Sequence, residues 1–199
     1  MSKTVAVLLA KGFEEAEAII VIDVLRRLDI KVETLSCQDR LELVSYHQIR
    51  MFADALLEHR RETLYDAVVI PGGLEGTVNL AANPLVTDFI RRHDEAGKWI
   101  CPLCSAAARV LGGNDLLKGR RYVCSGDLHR GISDGRFIDE KVVEDGNLLS
   151  GKGLGVAFDF AFSLAYRLTG DQQKTDFQVE HIYYDYWRTS APLGGIVPN

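Results

Sequence analysis

Short apolar runs alternate along the chain with longer segments that have helical periodicity. Val5 to Leu9 is aliphatic on both faces, which is typical of a buried parallel strand. Glu14 to Arg27 places its apolar residues on one face of a predicted helix, and Ile30 to Leu35 predicts the next strand. Because strands alternate with helices at this spacing, the pattern predicts βαβ units and an α/β fold with a doubly wound, mostly parallel central sheet.

The same alternation continues through the rest of the chain. The predicted elements are a hairpin or edge strand within 36–60, a strand over 65–70, a helix from 83 to about 96, a strand over 99–103, a helix opening at 105, a strand over 121–124, a hairpin over 137–149 and a helix over 156–168. Asn83 and Pro84 supply the side-chain cap and the first-turn proline with which many helices begin.

These elements predict one domain over residues 1–170, followed by a C-terminal extension over 171–199 that packs on it. The chain of 199 residues is 47% hydrophobic, which is enough for one sizeable core. The extension contains the aromatic run His181-Ile182-Tyr183-Tyr184-Asp185-Tyr186-Trp187. This run is interpreted as a packed helix or strand, with a ligand or partner surface as the alternative.

Charge and cysteine usage narrow the class of protein. The net charge of -5 gives no general attraction to nucleic acid or to an anionic membrane. The apolar run that Lys11 ends is too short to span a membrane, and no secretion signal is recognised. Four cysteines in a chain of this size do not suggest a secreted disulfide framework. The sequence therefore predicts a cytoplasmic protein that binds neither nucleic acid nor membrane.

Candidate chemistry lies where the predicted strands end, because ligands of an open parallel sheet bind beyond the carboxyl ends of its strands. Cys104 lies at the junction of a strand and a helix rich in small residues. A nucleophile elbow has this arrangement, since its strained turn tolerates only small neighbours. The helix N-terminus would favour the thiolate and lower the pKa of Cys104. A buried structural cysteine is the alternative.

Cys101 and Cys104 form a Cys-x-x-Cys motif, which serves redox chemistry or metal binding in other settings. A four-cysteine zinc site would need a second close pair, whereas Cys37 and Cys124 are isolated. Cys101 is predicted to lie within its strand and to point into the core, which disfavours a working disulfide couple. The sequence therefore predicts no metal and no cofactor.

Several other residues are candidates for roles beside the thiol. His129 follows the strand that ends at Cys124 and is the histidine best placed to act as a base. His59 and His93 lie in charged stretches and are expected to be exposed. Gly72 and Gly73 could bring backbone N–H groups to a substrate oxygen, as an oxyanion hole does, or form a plain tight turn.

Four segments, in this order, resemble the ThiJ/PfpI superfamily. They are Ala10-Lys11-Gly12-Phe13-Glu14-Glu15-Ala16-Glu17, Tyr65-Asp66 through Pro71-Gly72-Gly73, Cys104-Ser105-Ala106, and Gly151-Lys152-Gly153-Leu154-Gly155. The resemblance spans roughly residues 4–170, and the segment Ser45-Tyr46-His47-Gln48-Ile49 also resembles one that is common in bacterial members. Each motif is modest alone, but the ordered set is specific.

The resemblance implies a flavodoxin-like sandwich and, commonly, a homodimer. It implies that Cys104 is the elbow nucleophile and that Glu17 is the partner carboxyl. It also implies that Gly72 and Gly73 lie on the oxyanion side, with Ser105 next to the nucleophile. Activities in the superfamily include cofactor-independent glyoxalase, deglycase, chaperone and oxidative-stress sensing, and other members are hydratases, amidotransferase-like proteins or proteases.

Two departures from the superfamily pattern bear on function. Many catalytic members place a histidine after the strand that here ends at Cys124, where this sequence has Ser125, a possible auxiliary residue with His129. Ser105 replaces the frequent alanine or glycine after the nucleophile.

The leading hypothesis is a cysteine-dependent protein that acts on small reactive carbonyls, with Glu17 as proton shuttle. The alternative is a non-catalytic stress sensor or chaperone that works through oxidation of Cys104, and a protease or amidase is the third hypothesis.

Overall fold

The computed structural model describes residues 2–184. Its strands are β1 Thr4–Leu9, β2 Lys31–Ser36, β3 Glu42–Val44, β4 Arg50–Phe52, β5 Ala55–Leu56, β6 Ala67–Ile70, β7 Trp99–Pro102, β8 Arg121–Tyr122, β9 Arg136–Phe137, β10 Val142–Asp145 and β11 Leu148–Gly151. Seven of them form the central sheet, in the order β10-β11-β7-β6-β1-β2-β5. Only the edge strand β10 runs antiparallel to its neighbour in this sheet, which confirms the predicted mostly parallel arrangement.

Helices cover both faces of the sheet. They are α1 Glu15–Arg27, α2 Leu74–Ala81, α3 Pro84–Glu95, α4 Ala157–Thr169 and α5 Gln172–His181. Alternate residues of β1 point to opposite faces, and they belong to two separate apolar clusters. One cluster holds α1 and α4, and the other holds α3 and a π-helical turn over Ala107–Leu111. The two apolar layers are those of the predicted doubly wound sandwich.

The strongly periodic segments of the sequence form the predicted elements within a few residues. The segment 36–60 contains both of the features considered for it, a hairpin and an edge strand. Strands β3 and β4 pair as a hairpin, and β5 lies at the edge of the central sheet. The strand predicted over 121–124 is shorter than expected, and its two residues pair with β9 outside the central sheet. The helix predicted to open at Ser105 is a π-helical turn followed by a 3-10 turn over Gly112–Asn114.

The middle of the chain contains one helix that the sequence did not predict and one histidine for which the prediction is wrong. Helix α2 lacks a sequence signal at its start, because its N-cap residue Gly73 provides no side-chain cap. His93 was expected to be exposed, whereas it is fully buried. Its Nδ1 bonds the carbonyl of Phe89 at 2.8 Å, and its Nε2 accepts the N–H of Tyr65 at 2.9 Å. Burial lowers the pKa of His93, so this histidine is a neutral structural group.

The first part of the predicted C-terminal extension is the helix α5. Val179 of α5 is buried in the same apolar cluster as α4. Tyr184 then stacks on Phe158 and Phe162, with ring centroids 5.2 and 6.0 Å apart. Of the aromatic run, Tyr184 therefore packs on the domain, whereas Tyr183 is 97% exposed. The residues after Tyr184 lie outside the described part of the chain.

Backbone hydrogen bonds hold the loops at the carboxyl edge of the sheet together. The N–H of Glu14 bonds the carbonyl of Gly72 at 2.9 Å, so the start of α1 is fixed to the loop after β6. The N–H of Cys104 bonds the carbonyl of Gly151 at 2.9 Å, so the loop after β7 is fixed to the end of β11. The N–H of Leu103 also bonds the carbonyl of Ile70 at 2.9 Å, so the loops after β6 and β7 begin side by side. Within residues 2–184, no helix has both the length and the apolar composition needed to cross a lipid bilayer.

Candidate active site

Cys104 occupies a strained turn between β7 and the π-helical turn. Its φ of 59° lies in the left-handed region, which residues with a side chain rarely adopt. The conformation is held from both sides, because the N–H of Cys104 bonds Gly151 and its carbonyl accepts the N–H of Ser125 at 3.2 Å. Such a turn lifts the side chain out of the sheet edge and is the geometry of a nucleophile elbow.

Glu17 approaches the thiol from the first turn of α1. The turn is fixed by Glu14, whose carboxylate caps the helix by accepting the N–H of Glu17 at 3.1 Å. Glu17 is only 1% exposed, and its Oε2 accepts the N–H of Gly72 at 2.7 Å. The carboxyl of Glu17 and the thiol of Cys104 both lie against Gly72, and each shifts the pKa of the other. The structure thus brings together the two residues that the resemblance pairs.

The carboxyl of Glu17 is poised to hold a proton near neutral pH. Burial raises the pKa of Glu17 to about 7, against the lowering effect of the bonds from Gly72 and Cys104. Its second oxygen, Oε1, is buried without a hydrogen-bond partner. An unpaired buried carboxylate oxygen is costly, so the protonated form is favoured.

The thiol does not have the lowered pKa that the helix N-terminus led us to expect. Burial raises the pKa of Cys104 to about 11, and the negative charge of ionised Glu17 adds to the rise. Bonds from the hydroxyl of Ser125 and the backbone N–H of Ser105 act in the opposite direction. When Glu17 holds its proton, it lowers the pKa of Cys104 instead of raising it, because the neutral carboxyl can donate a hydrogen bond to the thiolate. Cys104 and Glu17 therefore titrate as one coupled pair.

Gly72 is a glycine because the carboxyl and the thiol both lie against its Cα. A Cβ at this position would lie 2.6 Å from the Cβ of Cys104 and 2.7 Å from Oε2 of Glu17. Its N–H is already occupied by Glu17, so an oxyanion role for the glycine pair falls to Gly73. No acceptor within residues 2–184 is found for the N–H of Gly73. The oxyanion role itself stays a prediction.

The hypothesis of a cysteine-dependent carbonyl enzyme predicts that Gly72→Ala lowers turnover at least about 100-fold, because the new methyl group must displace the thiol or the carboxyl by about 1 Å. The comparison is made by kcat/KM with a carbonyl substrate, after circular dichroism has shown that the variant is folded. Gly113→Ala is the matched control, since the nearest atom to its Cβ would be 4.0 Å away. Activity of Gly72→Ala within threefold of the wild type would contradict the close contact.

The remaining predicted residues divide into two groups. The hydroxyl of Ser125 and the N–H of Ser105 contact the thiol. His129 lies one step further away, because its N–H bonds the buried thiol of Cys124 and its imidazole stacks on Phe137 with centroids 3.8 Å apart. No hydrogen bond joins His129 to Cys104 among the described residues, and its auxiliary role stays a prediction.

The cysteines are all free thiols. Cys101 is fully buried within β7, as predicted, so the Cys-x-x-Cys motif places one cysteine in the core and one in the elbow. Burial raises the pKa of Cys101 well above its usual range. This environment makes Cys101 an unreactive core residue.

One group beside the site has donor atoms of the types that bind cations. Side-chain atoms of Glu14, Glu15 and His47 lie within 4.8 Å of one another. Each carboxylate already has a partner in the protein, since Glu14 caps α1 and Glu15 bonds Nδ1 of His47 at 2.9 Å. The three residues thus have structural roles that require no ion.

The fold and the site define an α/β sandwich protein that carries a cysteine on a nucleophile elbow and a buried carboxyl beside it. The chain belongs to the DJ-1/PfpI family, whose model matches residues 3–167. This confirms the predicted family and its flavodoxin-like fold. A mutant of a DJ-1 superfamily protein from Salmonella typhimurium, in which a cysteine is replaced by alanine, has a similar structure. Its TM-score is 0.91 at 62% identity, over 92% of this chain and 99% of that one.

Relatives in animals and plants show the same likeness. The chain is 33% identical to protein dj-1beta of Drosophila melanogaster, over 87% of this chain and 93% of that protein. It is 26% identical to the glutathione-independent glyoxalase DJR-1.2 of Caenorhabditis elegans, over 80% of this chain and 85% of that protein. The match to the DJ-1 homolog B of Arabidopsis thaliana is 30% identical over 83% of this chain, and it spans only 38% of that longer protein.

Proposed function

We propose that this chain is a cysteine-dependent enzyme for small reactive carbonyl compounds such as 2-oxoaldehydes, with Cys104 as nucleophile and Glu17 as proton shuttle. The observation that carries the proposal is the buried carboxyl of Glu17, which lies with the thiol against Gly72 and has a pKa raised to about 7. A group with this pKa both gives and takes a proton at neutral pH, as a general acid–base catalyst must. The C. elegans relative named as a glyoxalase supports the substrate class.

The first chemical step is the addition of the thiol to an aldehyde. As the sulfur of Cys104 attacks the aldehyde carbon, the ionised carboxyl of Glu17 takes the proton of the thiol and passes it to the aldehyde oxygen. Backbone N–H groups of Gly73 and Ser105 stabilise the developing charge on that oxygen. The product is a hemithioacetal on Cys104 beside an ionised Glu17, so no proton is gained or lost by the site.

The second step uses Glu17 as a base. Its carboxylate takes the hydrogen of the former aldehyde carbon as a proton and gives it to the oxygen of the neighbouring carbonyl group, which forms an enediol. Glu17 then takes the proton of the hydroxyl on the sulfur-bearing carbon and delivers it to the second carbon, which gives a thioester of the 2-hydroxy acid. Water then hydrolyses the thioester and frees Cys104. Methylglyoxal and water thus become lactic acid, without a cofactor.

Glu17 takes the place of the histidine that many catalytic relatives carry near the nucleophile. The corresponding residue here is Ser125, whose hydroxyl lowers the pKa of Cys104 by hydrogen bonding. A serine hydroxyl does not titrate near neutral pH, so it can orient the thiol but cannot serve as the base. The proton transfers therefore fall to Glu17.

Incubation of the purified protein with methylglyoxal tests the proposal. We expect loss of methylglyoxal and formation of lactate at a rate proportional to the protein concentration. A rate equal to that of the protein-free buffer would contradict enzymatic action on this substrate.

Oxidation of Cys104 to a sulfinic acid is the second candidate function, as a sensor of peroxide. The favouring observation is again Glu17, because its protonated carboxyl could donate a hydrogen bond to the oxidised sulfur. Mild hydrogen peroxide should then add two oxygen atoms to the peptide that carries Cys104, by mass spectrometry. An unmodified thiol after this treatment would rule the sensor out.

The protease hypothesis has no comparable support, because Ser105 occupies the position in which a histidine usually follows the nucleophile.

We also propose that two copies associate through the exposed apolar side chains around α1 and the β3–β4 hairpin. Ile19, Tyr46, Ile49 and Phe52 are each between 47% and 71% exposed, and proteins of this family are typically dimeric. A native mass of one chain, 22.1 kDa, would contradict the pairing.

We place the protein in the cytoplasm, because a reducing compartment keeps four cysteines free.

A further inference from the structure

Two buried hydroxyl groups lie directly behind the nucleophile elbow. Thr77 of α2 is fully buried, and Ser105 is 5% exposed. Oγ1 of Thr77 donates to the carbonyl of Gly73 at 2.8 Å. Because that bond uses its one proton, the hydroxyl of Ser105 is the donor in the 3.2 Å contact between the two side chains. The result is a chain of hydrogen bonds from Ser105 through Thr77 to Gly73.

This chain joins the two segments that face each other across the thiol. At one end, Ser105 directly follows Cys104, and its backbone N–H lowers the pKa of the thiol. At the other end, Gly73 follows Gly72, whose N–H holds the carboxyl of Glu17 at 2.7 Å. The hydroxyl pair therefore links the support of the thiol to the support of the carboxyl, by a path that does not pass through either group.

A bond from a threonine to the carbonyl four residues earlier is common in helices and alone has no functional meaning. Thr175 of α5 makes the same bond to Asp171 at 2.7 Å and is also fully buried. Thr77 differs because its oxygen also accepts a bond from Ser105 of the elbow. Arg109 approaches the same oxygen at 3.5 Å and the carbonyl of Leu74 at 3.4 Å, so the hydroxyl pair lies under a partly exposed cation.

We propose that Thr77 and Ser105 form a hydroxyl clasp that positions Cys104 relative to Glu17 and so sets how readily the thiol reacts. The clasp rests on the proposed nucleophilic role of Cys104. Both are positioning residues, since neither side chain touches the sulfur. Without the clasp, the N–H of Ser105 would move away from the sulfur. The Gly72–Gly73 loop would also shift and carry Glu17 away from the thiol.

The test is the pH dependence of alkylation of Cys104 by iodoacetamide, followed on its own peptide by mass spectrometry. We expect Thr77→Val and Ser105→Ala each to lower the rate constant at pH 7 by about three- to tenfold, the size of one lost hydrogen bond. The midpoint of the alkylation profile should move to higher pH. The double variant should be no slower than either single one, because both changes break the same chain.

Two further variants separate positioning from general stability. Thr77→Ser keeps the hydroxyl and should restore the wild-type profile. Thr175→Val removes an equally buried hydroxyl and should lower the melting temperature without moving the profile. If Thr77→Val does not fold, Ser105→Ala carries the test, since alanine fits the small site at the elbow.

An unchanged profile in both Thr77→Val and Ser105→Ala would overturn the clasp, and so would an additive double variant or an equal shift in Thr175→Val. Alkylation needs no turnover, so the clasp and the enzymatic function fail separately. Normal methylglyoxal turnover with unshifted alkylation contradicts only the clasp. A shifted profile in a protein without turnover contradicts only the proposed reaction.

Discussion

Replacement of Cys104 by serine is expected to lower kcat/KM for methylglyoxal at least about 1000-fold. The covalent step needs an ionised nucleophile, and a serine hydroxyl is far harder to ionise than a thiol. Glu17, with a pKa raised to about 7, takes the proton of a serine hydroxyl far less readily than that of a thiol, because the hydroxyl is the weaker acid. Serine is nearly isosteric with cysteine, so the strained elbow should form as before, which a thermal melt of the variant would check.

The matched control for this substitution is Cys37→Ser. Cys37 is a free, half-buried thiol whose sulfur contacts the carbonyl of Leu35 at 3.7 Å, away from the elbow. We expect this variant to retain wild-type turnover. A Cys104→Ser variant that keeps more than a tenth of the activity would show that the reaction does not proceed through this sulfur.

Replacement of Glu17 by glutamine should separate reactivity of the thiol from turnover. The amide can still accept the N–H of Gly72 and donate to the sulfur, but it cannot carry a proton from one step to the next. We therefore expect turnover to fall at least about 100-fold. Alkylation of Cys104 should stay within about tenfold of the wild type. Glu75→Gln is the control, because Glu75 is an exposed carboxylate at the same edge, paired with Lys11.

The pH dependence of turnover follows from the same pair. Below about pH 7 both groups hold a proton, and above that value Glu17 is ionised while the sulfur keeps its proton, so the carboxylate is free to take the thiol proton as the sulfur attacks. Turnover should therefore rise with pH through about 7. In Glu17→Gln, the rate of alkylation of Cys104 should show no rise near pH 7. A wild-type profile without this rise, or a fully active Glu17→Gln variant, would contradict the shuttle.

The sequence predicted those parts of the fold that depend on local pattern. The aliphatic run of β1 and the cap and proline at the start of α3 were sufficient for correct elements. The order of the family motifs also pointed to Cys104 and Glu17. The small residues after Cys104 predicted the strained turn that its φ of 59° confirms.

The features that sequence could not predict depend on contacts between distant segments. His93 is flanked by charged residues, yet Tyr65 and Phe89 enclose it. The N–H of Gly72 is occupied by Glu17, which comes from 55 residues earlier in the chain. The pKa of Cys104 was expected to fall because only the helix N-terminus is visible in the sequence. Burial and the neighbouring carboxylate of Glu17 outweigh it in the fold.

The most direct test of the central claim is the number of lactate molecules that each protein molecule forms from excess methylglyoxal. The account predicts many equivalents of lactate per Cys104, with a rate that rises through about pH 7. It also predicts no lactate above background from Cys104→Ser. The contradicting result is the consumption of at most one equivalent of methylglyoxal, as a stable adduct on Cys104, with no release of lactate. That result would show that the protein has a reactive cysteine but is not an enzyme for this substrate.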